Sequence, residues 1–270
     1  MFIGRRHQQR IVLLSGLSSL FAFTAAAVSL AFVGVYEGAL DPVLLLGSLG
    51  FDVVSLLSAA AMFVCLLAIS RGVRSAWLPW VGLQAYLLYA YALYAFGLVF
   101  TPLYALYLAV VCLSAYALAV FGRAVHPGLL GRIRPDSLPR RTMSATLFLI
   151  AGAFTLVWSA MLLNALARDI ALPAATVIVL DLAFALPFLV VVGVMLLRRK
   201  PMGYLLTPGV FALAAAITLG VAAAEFVRPV MGGGFEPRLA LPYLVPGIVC
   251  LVFAFIAFRR IAPAMSASTP

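Results

Sequence analysis

Residues 43–69 read VLLLGSLGFDVVSLLSAAAMFVCLLAI, an apolar run that carries one charge, Asp52, and is closed by Arg71 and Arg74. At about 1.5 Å per residue such a run is ~40 Å long as a helix, more than the ~30 Å of a bilayer's hydrocarbon core. A helix buried in a soluble domain rarely needs so continuous a run. Lipid offers no partner for backbone N–H and C=O groups, so a spanning segment is a helix or a strand of a closed barrel. A barrel strand alternates polar and apolar residues over ~10 positions, and this run does not alternate. The stretch predicts a transmembrane helix.

Outward from it the chain repeats the pattern. Further apolar runs lie at 11–35, 77–96, 103–121, 144–166, 173–197, 204–226 and 241–258. Over the 270 residues 66% are apolar and only 10% are charged, whereas a soluble domain carries about 25% charged residues to keep its surface in water. The fold class expected is an all-α, polytopic membrane bundle of about eight helices, forming one transmembrane domain over 1–270. The first run follows basic residues, as a signal peptide does, but continues past Ala25–Ala27 to about 25 residues. A signal core is ~7–15 residues long, so an uncleaved spanning helix is expected.

The net charge of +10 would point to nucleic acid in a soluble protein. Its distribution points to topology instead. With the N-terminus inside, cytoplasmic segments hold Arg5, Arg6, Arg10, Arg71, Arg74, Arg123, Arg132, Arg134, Arg140, Arg141, Arg198, Arg199, Lys200, Arg259 and Arg260, which is 15 of the 18 basic residues. The outer segments hold Arg168, Arg228 and Arg238. Basic loops resist translocation, so the split predicts eight spans in the cytoplasmic (inner) membrane with both termini in the cytoplasm. Merging the third and fourth runs would put every later basic cluster on the wrong side. Arg132, Arg134, Arg140 and Arg141 could also hold anionic lipid headgroups, although their topological role is sufficient. Beyond the bilayer no partner is implied, and nucleic acid is not expected.

An offset of 129 residues suggests a tandem 4+4 repeat. Asp52 maps onto Asp181, Arg71 onto Lys200 and Pro79 onto Pro208. The halves would be 1–121 and 144–270, joined by a basic loop at 122–143. Identity at that offset is otherwise low, and chance accounts for the agreement equally well.

Absent residue types exclude several chemistries. The two histidines, His7 and His126, lie outside the apolar runs, so no run offers paired haem ligands or HExxH. Lys200, the lone lysine, stands at a run's end, which disfavours a retinal Schiff base. There is no P-loop, no GxGxxG and no CxxC. Cys65, Cys112 and Cys250 are read as small buried hydrophobes. No metal and no cofactor are expected, and an enzyme is not favoured.

What remains is carboxylates and amides at depth. An ionisable group in hydrocarbon is expensive and normally faces a bundle interior or a wet cavity. Asp52 and Asp181 are each about nine residues from the outer end of their runs, ~13 Å deep. Gln84 and Tyr91, seven apart, share a helical face, and Asn164 is a further polar group. Asp52, Asp181, Gln84, Tyr91 and Asn164 are therefore the candidate substrate- or ion-binding residues. Ser48, Ser55 and Ala59 share the face of Asp52, a small stripe more typical of close helix packing than of a water-lined path. Pro187 is expected to kink the sixth helix. Glu225 is read as paired to Arg228 three residues on. The tyrosines near the ends of the third and fourth runs are read as interfacial belt residues. The glycine-rich stretch 231–237, MGGGFEP, is read as a connector.

Three function classes follow. The leading expectation is a small-solute or ion transporter with an outward-facing, carboxylate-lined cavity. It requires Asp52 and Asp181 to face one chamber. An enzyme acting on a lipid-borne substrate would use them as acid and base, with a lateral opening beside both; neither lies in the GxGD motif of intramembrane aspartyl proteases. A sensor or accessory subunit would instead have both aspartates satisfied by neighbouring helices.

Overall fold

The computed structural model describes residues 3–125 and 138–266. Arg132, Arg134 and His126 lie outside the described residues. The rest is helical, with no strand among the described residues. The long helices are α1 (Arg5–Ala31), α2 (Pro42–Ser70), α3 (Trp77–Phe96), α4 (Tyr104–Ala124), α5 (Arg140–Arg168), α6 (Ala175–Leu197), α7 (Pro201–Val227) and α8 (Pro237–Ser266). A membrane-type helical bundle is thus the fold.

Seven of these helices are long and apolar enough to cross a membrane, all except α3. The exception has a physical reason. The 20-residue α3 holds Trp77, Trp80, Gln84, Tyr86, Tyr89, Tyr91 and Tyr94, all buried by protein. A helix wrapped by other helices need not be apolar on its outside, because it meets little lipid.

Helices α1 to α4 form a closed ring in which each packs on the next and α4 packs back on α1. The ring's α2 and α3 also pack on α7, and α7 carries α6 on one side and α8 on another. Helix α5 packs on α6 and meets α8 through the rings of Phe154 and Tyr243, 6.3 Å apart. Glycines allow the central crossings. A Cβ on Gly82 of α3 would lie 2.6 Å from the Gly209 carbonyl of α7. Gly50 of α2 presses equally closely on the backbone of Gly220 and Ala224. Close backbone approach replaces the hydrophobic drive that lipid cannot supply.

Local signals set the ends. Asp41 caps α2 by accepting the Val43 N–H at 2.8 Å. The expected kink at Pro187 takes the form of a π-turn over Asp181–Ala185, where the Leu186 N–H bonds the Asp181 carbonyl. The proline has no N–H to give, and widening the turn before it absorbs the mismatch. The MGGGFEP connector turns at Gly232, φ 84°, a left-handed value that glycine adopts without strain. Of the cysteines only Cys250 is buried; Cys112 is exposed, because its face of α4 points away from the ring.

Candidate functional site

The carboxylates lie toward the end of the bundle that bears the α1–α2, α3–α4 and α5–α6 connections. Asp52 sits ten residues into α2, ~15 Å along its axis, and is 2% exposed. Its Oδ2 accepts from the Tyr36 hydroxyl at 2.7 Å, and its Oδ1 lies 3.0 Å from the Tyr94 hydroxyl, whose single proton it shares with the Ser48 carbonyl at 2.9 Å. Tyr36 comes from the 3-10 turn Val33–Tyr36 that ends α1, so the connection itself folds back over the aspartate. The Tyr36 and Tyr94 rings stack with centroids 6.2 Å apart, and Tyr94 stacks on Tyr107 of α4 at 5.0 Å. One carboxylate thus fastens α2, α3 and the α1 terminus together.

Asp181 makes a second, separate centre. Its Oδ1 accepts from the Tyr89 hydroxyl at 2.7 Å and its Oδ2 from the Trp158 indole N–H at 2.8 Å. It joins α6 to α3 and to the peripheral α5. Tyr89 and Tyr94 are five residues apart, hence ~140° apart around α3, so the two aspartates approach different faces of that helix. Phe51 fills the space beside it, stacked on Tyr86 at 6.5 Å and tilted on Tyr89 at 6.4 Å. Among the described residues neither aspartate has a cationic partner; each is held by two neutral donors. They do not join other Asp, Glu, His or Cys side chains in a group able to hold a metal ion, among the described residues.

Gln84 and Tyr91 do share a face of α3, the one toward α1. Gln84 Nε2 donates to Ser18 Oγ at 3.0 Å and to Ser114 Oγ at 2.8 Å, while its Oε1 has no partner among the described residues. The Tyr91 hydroxyl donates to the Ala22 carbonyl at 2.6 Å. One turn earlier, Trp80 Nε1 donates to Ser15 Oγ at 3.1 Å. A stripe of small residues on α1 thus receives the polar side chains of α3. Asn164 is exposed on α5, ~120° around the helix from Trp158, and is not brought to either aspartate. Around Asp52, the Ser48 carbonyl accepts from Tyr94 at 2.9 Å, Ser55 Oγ lies 3.3 Å from the Tyr86 hydroxyl, and Ala59 is buried. The small stripe packs against α3. Glu225 is paired with Arg228 through two contacts of 2.7 and 2.8 Å.

The donors are what the sequence reading missed. Tyr36, Tyr89, Tyr94 and Trp158 hold the aspartates, and of the tyrosines near helix ends expected in an interfacial belt, Tyr94 and Tyr107 are buried inside the protein. One signal was available: Tyr86 and Tyr89 stand seven or more residues from either end of α3, deeper than a belt residue sits.

A cavity of about 310 Å³ opens beneath the α1–α2 connection, walled by Val33, Gly34, Tyr36, Glu37, Leu40 and Leu45. Its tyrosine is the one that holds Asp52. Comparison with protein-family models, with curated proteins and with solved structures finds no match for this chain.

Proposed function

We infer that the chain is a sensor or accessory protein of the cytoplasmic membrane, an eight-pass bundle with both termini in the cytoplasm, in which Asp52 and Asp181 fasten helices together. The carrying observation is the separate engagement of the two carboxylates, each with both oxygens occupied by donors from other elements. A joint transport site would need both to turn toward one solute. Doing so would break two hydrogen bonds at each, at about 1.5–3 kcal/mol apiece if the carboxylates are charged. The acid–base reading needs one substrate to touch both, and α3 stands between them. A transporter remains the second reading, favoured by the cavity beside Tyr36. In it, Asp52 alone would be the working carboxylate. On the cytoplasmic side Arg140 and Arg141, with Arg132 and Arg134, would hold anionic lipid headgroups at about 1 kcal/mol per basic residue.

The test is purified protein in proteoliposomes enclosing a pH-sensitive dye, with Asp52→Asn and Asp181→Asn variants alongside. Under an imposed pH or potassium gradient the fastening role predicts the same proton flux in all three. It also predicts a lower thermal midpoint for each variant. A wild-type flux that Asp52→Asn abolishes while keeping its midpoint would overturn this reading in favour of transport.

A further inference from the structure

We propose that the ring of α1 to α4 holds a buried water molecule at Gln84, bridging the side-chain oxygen to a flanking serine hydroxyl. The site does not depend on what Asp52 and Asp181 do.

The amide is oriented by its neighbours. Gln84 Nε2 lies 3.0 Å from Ser18 Oγ of α1 and 2.8 Å from Ser114 Oγ of α4. The Ser18 hydroxyl gives its single proton to the Ser15 carbonyl at 3.0 Å, so toward the amide it can only accept. Turning the amide over would set its oxygen against that lone pair. Both N–H groups are thus spent on the serines. The oxygen is left with no donor among the described residues. A carbonyl closed off from solvent without a donor is costly, and Gln84 is 0% exposed. One of the two amide hydrogens lies on the oxygen's side of the planar group, so one of the two serines flanks Oε1.

The surroundings select the occupant. Ser15, Ser18, Ser19 and Ala22 on α1, with Ser114 and Ala117 on α4, are all buried and small. Ser19 Oγ, next to Ser18 in the chain, is a second buried oxygen without a partner among the described residues. Whatever answers Gln84 has to donate a hydrogen, which excludes anions and metal ions. It has to be neutral, because the ring supplies no countercharge there. Helix α3 carries no charge, and α1 and α4 carry theirs only in the two turns nearest the inner end. Helix α2 carries only Asp52, engaged by Tyr36 and Tyr94. It has to be small, because Gln84 and the serines about it are closed off from solvent. Water meets all three conditions, and buried waters bond polar groups that the protein leaves unpaired. Here it donates to Gln84 Oε1. It then accepts from the Ser114 hydroxyl or gives its second hydrogen to Ser18 Oγ. Water completes a joint of α1, α3 and α4 that the protein groups leave one hydrogen short.

The experiment uses the full chain in liposomes of deuterated lipid. Solid-state NMR follows polarisation passed from mobile water protons to labelled carbons. The chain has three glutamines, Gln8, Gln9 and Gln84. With Gln8→Asn and Gln9→Asn, a label on the glutamine side-chain carbonyl reports Gln84 alone, and Gln84 itself is untouched. The methyl carbon of Met62, 0% exposed on α2 of the same ring, is the dry reference and is identified by its loss in Met62→Leu. Transfer to Gln84 is expected to outrun transfer to Met62 and to approach that of the exposed Gln9 in the wild type. At least one of Ser18→Val and Ser114→Val, which put methyl groups in place of a flanking hydroxyl, should slow it to the Met62 rate. Transfer to Gln84 as slow as to Met62 would overturn the site, and that comparison stands even if neither valine variant folds. Unchanged transfer in both folded valine variants would overturn it too. Transfer to Met62 as fast as to Gln84 would mean that the whole ring admits water, and the single site falls.

Discussion

Tyr89 and Trp158 occupy the two oxygens of Asp181 from two different helices, and that asymmetry makes single residues separable by mutation. Interhelical hydrogen bonds within membranes are worth about 0.6 kcal/mol on average and up to ~1.7. Tyr89→Phe and Trp158→Phe should each lower unfolding stability by about that much, measured by denaturation in mixed micelles. Asp181→Ala should cost more, since it strands two donors in an apolar layer at about 1–3 kcal/mol each. Adding Tyr89→Phe to Asp181→Ala should then cost almost nothing, and a fully additive double variant would show that the bond carries no energy. At this scale the sequence was half legible. Asp52 and Asp181 stand out because a charge inside an apolar run has to be answered. Their donors did not, because a tyrosine suits an interface and an interior equally well. Which helix it faces depends on packing that no spacing along one helix encodes. Asn164 was misleading for the same reason: polarity at depth is visible in the sequence, but the direction of the side chain is not.

Between elements, the crossing of α3 over α7 is set by Gly82 and Gly209. The two backbones approach until a Cβ on Gly82 would lie 2.6 Å from the opposing carbonyl. Gly82→Val should therefore force the helices apart and lose folded protein on size-exclusion chromatography. Gly209→Ala, whose Cβ would meet the Gly82 nitrogen and the Val81 side chain at 3.1 Å, should fold with a lower midpoint. Equal behaviour of the two variants would mean that the crossing relaxes freely. The extents of the helices were largely readable because hydropathy and basic stops mark them directly. The π-turn over Asp181–Ala185 was not readable. Pro187 signals that regular bonding fails, but whether the chain kinks or widens depends on what α3 and α5 demand of Asp181. Across the two suggested halves, α2 and α3 of the first both pack on α7 of the second. The halves differ around it, since the first closes into a ring and α5 barely reaches α8.

For the whole molecule the proposed eight-pass topology can be checked by labelling. In a background with Cys65, Cys112 and Cys250 replaced, Glu236→Cys should react with an impermeant maleimide added to intact cells. Arg199→Cys should react only after permeabilisation, and the opposite pattern would invert the orientation. The count of eight came from eight apolar runs, and the charge distribution supported it. Of the described long helices α3 has the least apolar span by residue type, because it spends its surface on tyrosines, tryptophans and Gln84 that its neighbours cover. That burial reaches back to biosynthesis. A nascent segment enters the bilayer from the insertion machinery according to its own partitioning, and α3 emerges before α4 and α7 exist to sheathe it. Its 20 residues carry no charge, so it can enter by itself, with Gln84 and the tyrosine hydroxyls left in lipid until α4 and α7 arrive to answer them. A chain truncated just after Phe96 should already hold this helix in the membrane, and extending it through Ala124 should raise its resistance to extraction as α4 covers Gln84.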